Sequence, residues 1–316
     1  MGGGGTDLPS YYKKYGGFLM AAAINKYVYI NINKRFNQSI RLSYSKTEIV
    51  GQVKDIEHKI FREVLKLLQI NRQIEIVSIA DVPAHCGLGT SSSFTVSLLN
   101  GLYAYKKQYL NLEDLAEAAC HLELDILKQP IGKQDQYVAS FGGFNAYTFN
   151  TDGTVVVDPV DIKEEDLAQL QNNLLLFFLN KERSASDVLI EQDQKTKQDD
   201  KKTIQRLHKI KEIGLATRAA FEKGKLDDFG ELMHQHWLIK KGLSGKVSDS
   251  FIDEVYEAGR KSGALGGKVA GAGGGGFILF YCPKNKSVLV EAMAKMGLVP
   301  FWFSFEHEGA KIVFHS

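Results

Sequence analysis

Cysteine is scarce: Cys86, Cys120 and Cys282 are the only three in 316 residues. That is too few for a disulfide framework, and it fits a reducing compartment. Long apolar runs are missing as well; none reaches the roughly 20 residues that a membrane-spanning helix needs. Neither sign of charge is in excess. The 39 Lys and Arg against 37 Asp and Glu leave a formal net charge of +2, so no broad nucleic-acid footprint follows. The opening residues, Met1-Gly-Gly-Gly-Gly-Thr6, lack the apolar core of a secretory signal. There is no internal repeat. These absences point to a cytoplasmic protein with neither a membrane nor a nucleic-acid partner, and they set no oligomeric state. The length suits two domains with substantial cores.

Glycine is what the chain has in quantity, 30 in all, and it concentrates where it matters. The central stretch is Pro83-Ala-His-Cys-Gly-Leu-Gly-Thr-Ser-Ser-Ser93. Gln73 to Ala80 before it is β-branched and partly alternating, which predicts a strand. Phe94 to Tyr105 after it carries apolar residues at helical spacing. The stretch is therefore a strand–loop–helix junction. Gly87 and Gly89 let backbone approach a ligand closely, and the helix start offers unpaired N–H groups with a partial positive charge. Together they form a phosphate cradle. No Lys follows Gly89 before the hydroxyls, so this is not a Walker A loop. Taken alone, the stretch also fits a glycine-rich turn with Thr90 or Ser91 as helix cap.

Along the chain, Gly2 to Gly5 fits either a flexible linker or the start of a structured loop and short helix through Tyr11-Tyr12. Phe18 to Ile24 and Tyr27 to Ile32 predict two strands with a tight connection, and Ile40 to Tyr44 a third. Asp55 to Leu68 has helical period, with Ile56, Ile60, Val64 and Leu67 on one face. Asn111 caps a further helix, with Asp114 at its third position, running to Glu123 and on toward Leu127 until Pro130-Ile-Gly132 breaks it. Phe144 to Phe149 and Thr154 to Val157 form a hairpin about Asn150-Thr-Asp-Gly153.

Composition shifts near Asp161, with the boundary between residues 160 and 175. The second half reads as strand Leu174–Leu179, more than one helix over Asp187–Phe221, then helices Asp227–Lys241 and Ser250–Lys261. Strands Gly266–Ala270 and Phe277–Tyr281, helix Lys286–Lys295 and strand Val299–Ser304 follow. That order is a split β-α-β arrangement on an antiparallel sheet. The fold class is α+β with two domains, residues 1–165 and 166–316.

Two more segments bear on chemistry. Lys268-Val-Ala-Gly-Ala-Gly-Gly-Gly-Gly-Phe277 has more glycine than a hairpin turn uses, which describes backbone that meets something closely. Gly132-Lys-Gln-Asp-Gln136 places Asp135 after a helix break, where an Asp also serves as a plain cap. Glu123 on the preceding helix also fits a solvated charge.

With these three segments in order, the chain resembles the family of small-molecule kinases that includes galactokinase, homoserine kinase, mevalonate kinase and phosphomevalonate kinase. Their central motif is Pro-x-x-x-Gly-Leu-Gly-Ser-Ser, and Pro83 to Ser91 matches it with Thr90 in place of the first Ser. Within the family, Gly3 to Asp7, Gly132 to Tyr137 with Gly142-Gly143-Phe144, and Gly271 to Phe277 most resemble bacterial heptose kinases. Those act on D-glycero-D-manno-heptose 7-phosphate at its anomeric hydroxyl. The resemblance implies an N-terminal domain like the second domain of ribosomal protein S5 and a ferredoxin-like C-terminal domain.

It also implies roles. Gly87, Leu88, Gly89, Thr90, Ser91 and Ser92 would hold the triphosphate of ATP. Ser91 and Glu123 would hold Mg²⁺, a cation that takes oxygen ligands. Asp135 would accept or orient the sugar hydroxyl's proton. Gly5, Thr6 and Asp7 would meet the sugar, Arg183 its phosphate through the planar guanidinium fork, and Gly271, Gly273 and Gly274 would line the site. Lys133, Lys240 and Lys241 are secondary candidates for the phosphate. The partner is thus a small-molecule sugar phosphate. Family members carry a strand ahead of the first glycines, with an Arg just before them. Here Met1 alone stands there, which predicts unpaired backbone along the next strand. Two other readings keep the fold: an anomeric kinase for another sugar such as L-fucose, and a non-catalytic sugar-phosphate sensor.

Overall fold

The computed structural model describes residues 1–181 and 185–315; Arg183 lies outside them. In chain order the elements of the first half are α1 (Pro9–Tyr15), β1 (Gly17–Ala22), β2 (Val28–Lys34), β3 (Ile40–Ser43), β4 (Thr47–Val50), α2 (Lys59–Leu67), β5 (Ile74–Ala80), α3 (Thr90–Tyr105), α4 (Leu112–Cys120), a π-helical turn His121–Ile126, α5 (Gln134–Phe141), β6 (Phe144–Phe149) and β7 (Val155–Pro159). The second half adds α6 (Glu164–Asn173), β8 (Leu174–Phe178), α7 (Ala185–Lys197), α8 (Lys201–Glu222), α9 (Leu226–Lys241), α10 (Ser250–Lys261), β9 (Gly266–Val269), β10 (Phe277–Tyr281) and α11 (Lys286–Lys295). The fold class is α+β, as expected. No helix among the described residues is long and apolar enough to cross a membrane.

β1 is apolar along its length and buried on both faces, whereas β2 alternates and leaves one face to solvent. That difference separates them. The two strands expected as close neighbours lie in different sheets. β1 pairs antiparallel with β6 in a sheet of order β1-β6-β7, while β2 joins a sheet of order β2-β5-β3-β4. α2, α3 and the π-helical turn cover the inner face of that second sheet through Phe61, Val64, Leu98, Leu102 and Leu122. β4 was not expected, and the predicted helix from Asp55 begins only at Lys59. Ile56 is buried ahead of it, after a short 3₁₀ turn at Val53–Asp55.

The opening glycines are built into the fold rather than forming a linker. Gly2 bridges Met20 of β1, whose N–H donates to Gly2 O at 2.8 Å. A Cβ on Gly3 would lie 2.2 Å from Phe18 O. The edge of β1, expected to be unpaired, is therefore met at one point.

In the second half the sheet order is β8-β10-β9, all antiparallel, with α10 and α11 packed on it around Trp237, Tyr256, Phe280 and Leu289. The strand expected over Val299–Ser304 is not a ladder. It touches β8 at the Phe177–Pro300 bridge and through Phe301 N–H to Leu176 O at 2.7 Å. It then crosses to the first half, where Asn25 N–H donates to Ser304 O at 2.9 Å and Ile24 bridges Phe305. A chain that changes partners after two residues cannot keep one register. Phe18, Met20 and Phe144 share one core with Leu174, Phe221, Phe229 and Tyr281, so the two halves are joined by buried apolar surface.

Candidate active site

The phosphate loop runs between β5 and α3. Gly87 and Gly89 take φ of +79° and +74°, a conformation that costs an ordinary L-residue. α3 starts at Thr90 with Gly89 as its N-cap, and no side chain caps it. Neither Thr90 nor Ser91 is the cap that the sequence alone also allowed. The first-turn N–H groups of α3 are left to a ligand.

The hydroxyls of this helix divide their work. Ser91 is exposed, with no hydrogen bond from its hydroxyl to protein among the described residues. Ser92 and Thr95 face inward and donate to Glu123 at 2.8 Å each. Gln136 of α5 adds a third donor. Glu123 is fully buried in the π-helical turn. Burial raises its pKa, while the hydrogen bonds from Thr95, Ser92 and Gln136 pull it back. One carboxylate thus ties α3, α5 and the π turn together. Sequence reading missed Thr95 and Gln136. Thr95 was legible as the i+3 neighbour of Ser92 on one helix face.

Asp135 lies in the first turn of α5. A Cβ on Gly89 would stand 3.3 Å from Asp135 Cγ, so the carboxylate sits against the phosphate loop. The side chain is open to the cavity, but protein encloses the cavity on its sides. That confinement, with repulsion from Asp7 and Glu123, pushes its pKa up to about 7. Gln134 Nε2 donates to it at 3.3 Å.

Asp7 is buried and does not line this cavity. Its Oδ1 accepts from Gly5 N–H at 3.0 Å and its Oδ2 from Gln134 N–H at 3.1 Å. It caps α5 from outside that helix, since Lys133 at the N-cap gives no side-chain bond. A Cβ at Gly132 would fall 1.8 Å from Asp7 Oδ2, so only glycine fits there. Burial raises the Asp7 pKa against these backbone hydrogen bonds. Thr6 is buried with its hydroxyl among Gly3 O at 2.8 Å, Phe18 O at 2.9 Å and Phe18 N–H at 3.1 Å. Gly5 O accepts from Gln192 of α7 at 3.0 Å.

The second glycine loop meets the first backbone to backbone. A Cβ on Gly87 would lie 2.8 Å from Ala270 O, one on Gly271 2.9 Å from Gly87 Cα, and one on Gly276 2.0 Å from Cys86 O. Gly273 and Gly274 instead turn to Val247, whose O accepts from Gly274 N–H at 2.7 Å. Lys240 braces this loop from α9, donating to Gly271 O and, at 3.5 Å, to Val269 O. Lys241 is paired with Asp253 at 3.0 Å, and Lys133 with Glu117 at 2.6 Å.

Gly87, Gly89, Asp135, Lys268 and Gly271 line one cavity of about 490 Å³, together with Tyr27, Phe303 and Phe305. A second cavity of about 930 Å³, between Tyr12, Glu117 and Lys133, includes neither the phosphate loop nor Asp135. The first cavity can hold a phosphate chain on backbone amides, with a carboxylate at its end.

Residues 48–143 match the GHMP kinases N terminal domain, and residues 217–297 match the GHMP kinases C terminal domain. Over 324 residues, 98% of this chain and 95% of the relative, the chain is 31% identical to the D-glycero-alpha-D-manno-heptose 7-phosphate kinase of Campylobacter jejuni. A bifunctional fucokinase/GDP-fucose pyrophosphorylase of Arabidopsis thaliana is 28% identical over 203 residues, 63% of this chain and 19% of that protein. Among solved structures, a D-glycero-D-manno-heptose 1-phosphate kinase from Bacteroides thetaiotaomicron superposes with a TM-score of 0.81 at 25% identity. That match covers 100% of this chain and 96% of the other. Lactococcus lactis galactokinase, at 18% identity over 98% and 90% of the two chains, shares the fold with a TM-score of 0.72.

Proposed function

The chain belongs to the GHMP kinase family, and we propose that it transfers the γ-phosphoryl group of ATP to the anomeric hydroxyl of D-glycero-D-manno-heptose 7-phosphate. That it is a sugar kinase follows from the family and from the full-length likeness to a heptose 7-phosphate kinase. The observation that carries the chemistry is Asp135 against Gly89. A phosphoryl group held on the α3 N-terminus lies beside a carboxylate whose pKa, about 7, suits a general base at neutral pH. In the reaction the sugar oxygen forms its bond to γ-phosphorus as the bond to the ADP oxygen breaks. Asp135 takes the proton that the hydroxyl loses.

Asp7, through Gln134 N–H, fixes the turn that carries Asp135. Besides Asp135, the oxygen donors near the loop are the Glu123 carboxylate and the Ser91 and Ser92 hydroxyls. Among the described residues no group of three or more His, Cys, Asp or Glu could hold a metal. This fits Mg²⁺, which keeps waters and phosphate oxygens and takes few protein ligands. When bound, it would neutralise charge on the phosphates.

The two heptose-kinase relatives are named for different phosphate positions, and a third relative is named as a fucokinase. The test is therefore ADP release with heptose 7-phosphate, heptose 1-phosphate and L-fucose in parallel, with the product position read by phosphorus NMR. Turnover of the 7-phosphate to a 1,7-bisphosphate is expected. Faster turnover of L-fucose would move the assignment to that sugar. Binding of a sugar phosphate without ADP release from any acceptor would make the protein a sensor.

A further inference from the structure

We propose that Lys268, backed by Lys240 and His236, is a phosphate-binding residue of the cavity that also holds Asp135. This rests on the kinase reading above. Three lysines line that cavity among the described residues. Lys26 lies 5.0 Å over the Phe301 ring, and Lys311 is paired with Glu308. Among the described residues Lys268, in the middle of β9, has neither a carboxylate nor an aromatic partner, and burial alone shifts its pKa, down to about 8.

Behind it the charge is reinforced rather than balanced. Lys240 is buried on α9, and Lys268 helps to lower its pKa after burial. His236, one turn earlier on the same helix, is 1% exposed, and neither ring nitrogen has a hydrogen-bond partner. Its pKa is lowered first by burial, then by Lys268 and Lys240. Among the described residues, no carboxylate appears among the groups acting on any of these three. Buried ammonium groups without a counter-ion are unstable as cations. An anion in the cavity supplies the counter-charge that the described residues omit, and it draws protons onto the cluster as it binds. The phosphate loop and Asp135 line the same cavity, so the matching anion is a phosphate. It is either the γ-phosphate of the donor or the phosphate already on the acceptor.

The test is acylation of Lys268 at pH 8 by an amine-directed reagent, read by peptide mass spectrometry on the full chain. Four arms are compared: ADP, a non-hydrolysable ATP analogue, heptose 7-phosphate and unphosphorylated heptose. Protection of tenfold or more is expected from one phosphate-bearing ligand and not from its counterpart. The ATP analogue over ADP assigns the γ-phosphate; the 7-phosphate over heptose assigns the acceptor. Equal labelling in all arms overturns the proposal, as does equal protection within both pairs, which is mere occlusion.

Lys268→Met should raise KM for the protecting ligand ten- to a hundredfold, and Lys268→Arg should restore most of it. If both variants match wild type, the proposal falls. Wild-type turnover keeps the two readings apart. If heptose 7-phosphate turns over and no arm protects Lys268, only this inference fails. If the ATP analogue protects and no sugar turns over, the acceptor assignment fails and Lys268 stands.

Discussion

Asp135 and Glu123 are both acidic and both beside α3, yet their surroundings give them different work. Asp135 faces the cavity with one weak hydrogen bond, while Glu123 accepts from three donors. Asp135→Asn is expected to lower kcat at least ~10²-fold and to leave ATP affinity within a few-fold. A loss of only a few-fold would remove it from the base role. In wild type the base is the carboxylate, so kcat/KM should fall as pH drops through about 7. The same shift acts on stability. The folded pKa lies above the ordinary 3.8, so the folded state binds more protons, and stability is lost as pH rises from near 4 to near 7. The Asn variant removes that cost. Its Tm should exceed the wild-type value by a few degrees at pH 8, with the gap closing toward pH 4 in calorimetric scans. Glu123→Gln leaves one donor facing an NH₂ group, at ~1–3 kcal/mol, and should also raise the Mg²⁺ concentration for half-maximal rate. A lower Tm with an unmoved Mg²⁺ midpoint would give Glu123 a packing role alone. Asp135 was legible because its motif is local. The use of Lys133 was not, because its partner Glu117 is 16 residues away on another helix and a lysine in sequence looks the same paired or free.

The two glycine loops act as one element, because each fills the space a side chain would take from the other. Gly276→Ala would put a Cβ 2.0 Å from Cys86 O, at a φ of +78°. Overpacking and left-handed strain together cost on the order of 2–5 kcal/mol. A lower Tm and a higher KM for ATP are expected together, since the displaced atom belongs to the phosphate loop. Gly153→Ala is the control. Its φ is +98°, but nothing lies within 4 Å, so it should lower Tm modestly and leave ATP binding alone. The regular elements were largely legible. Helices Ser250–Lys261 and Lys286–Lys295 and strand Phe277–Tyr281 fall where hydrophobic period and flanking turns put them. β4 was not. It has four residues, and Glu48, buried under Tyr44 with the backbone of Glu57 and His58, looks in sequence like a surface charge. The glycine richness of residues 270–276 announced a close approach, but which glycines face the phosphate loop came only with the fold.

Across the whole molecule, the segment from Pro300 to Ala310 stitches the halves together. It bonds to Leu176 in one sheet, to Ala23 and Asn25 beside the other, and finally to Ala139 of α5. Phe301 packs on Phe277 at 4.8 Å between ring centroids, and Phe305 on Phe144 at 5.7 Å. A chain stopped at Leu298 loses these contacts and a wall of the cavity. It should melt several degrees lower and bind ATP more weakly; an unchanged Tm would mean that the shared core alone joins the halves. The sequence showed the apolar character of this segment but not its change of partner, because register across 280 residues leaves no local trace. Ser304 and Asn25 are 279 positions apart. Everything the segment grips leaves the ribosome before it does. The nascent chain therefore carries an open cavity and an uncovered Phe144 until the last stretch emerges, and contacts of such long range close slowly. During synthesis the moment of greatest exposure to chaperones comes late, after both halves have their sheets.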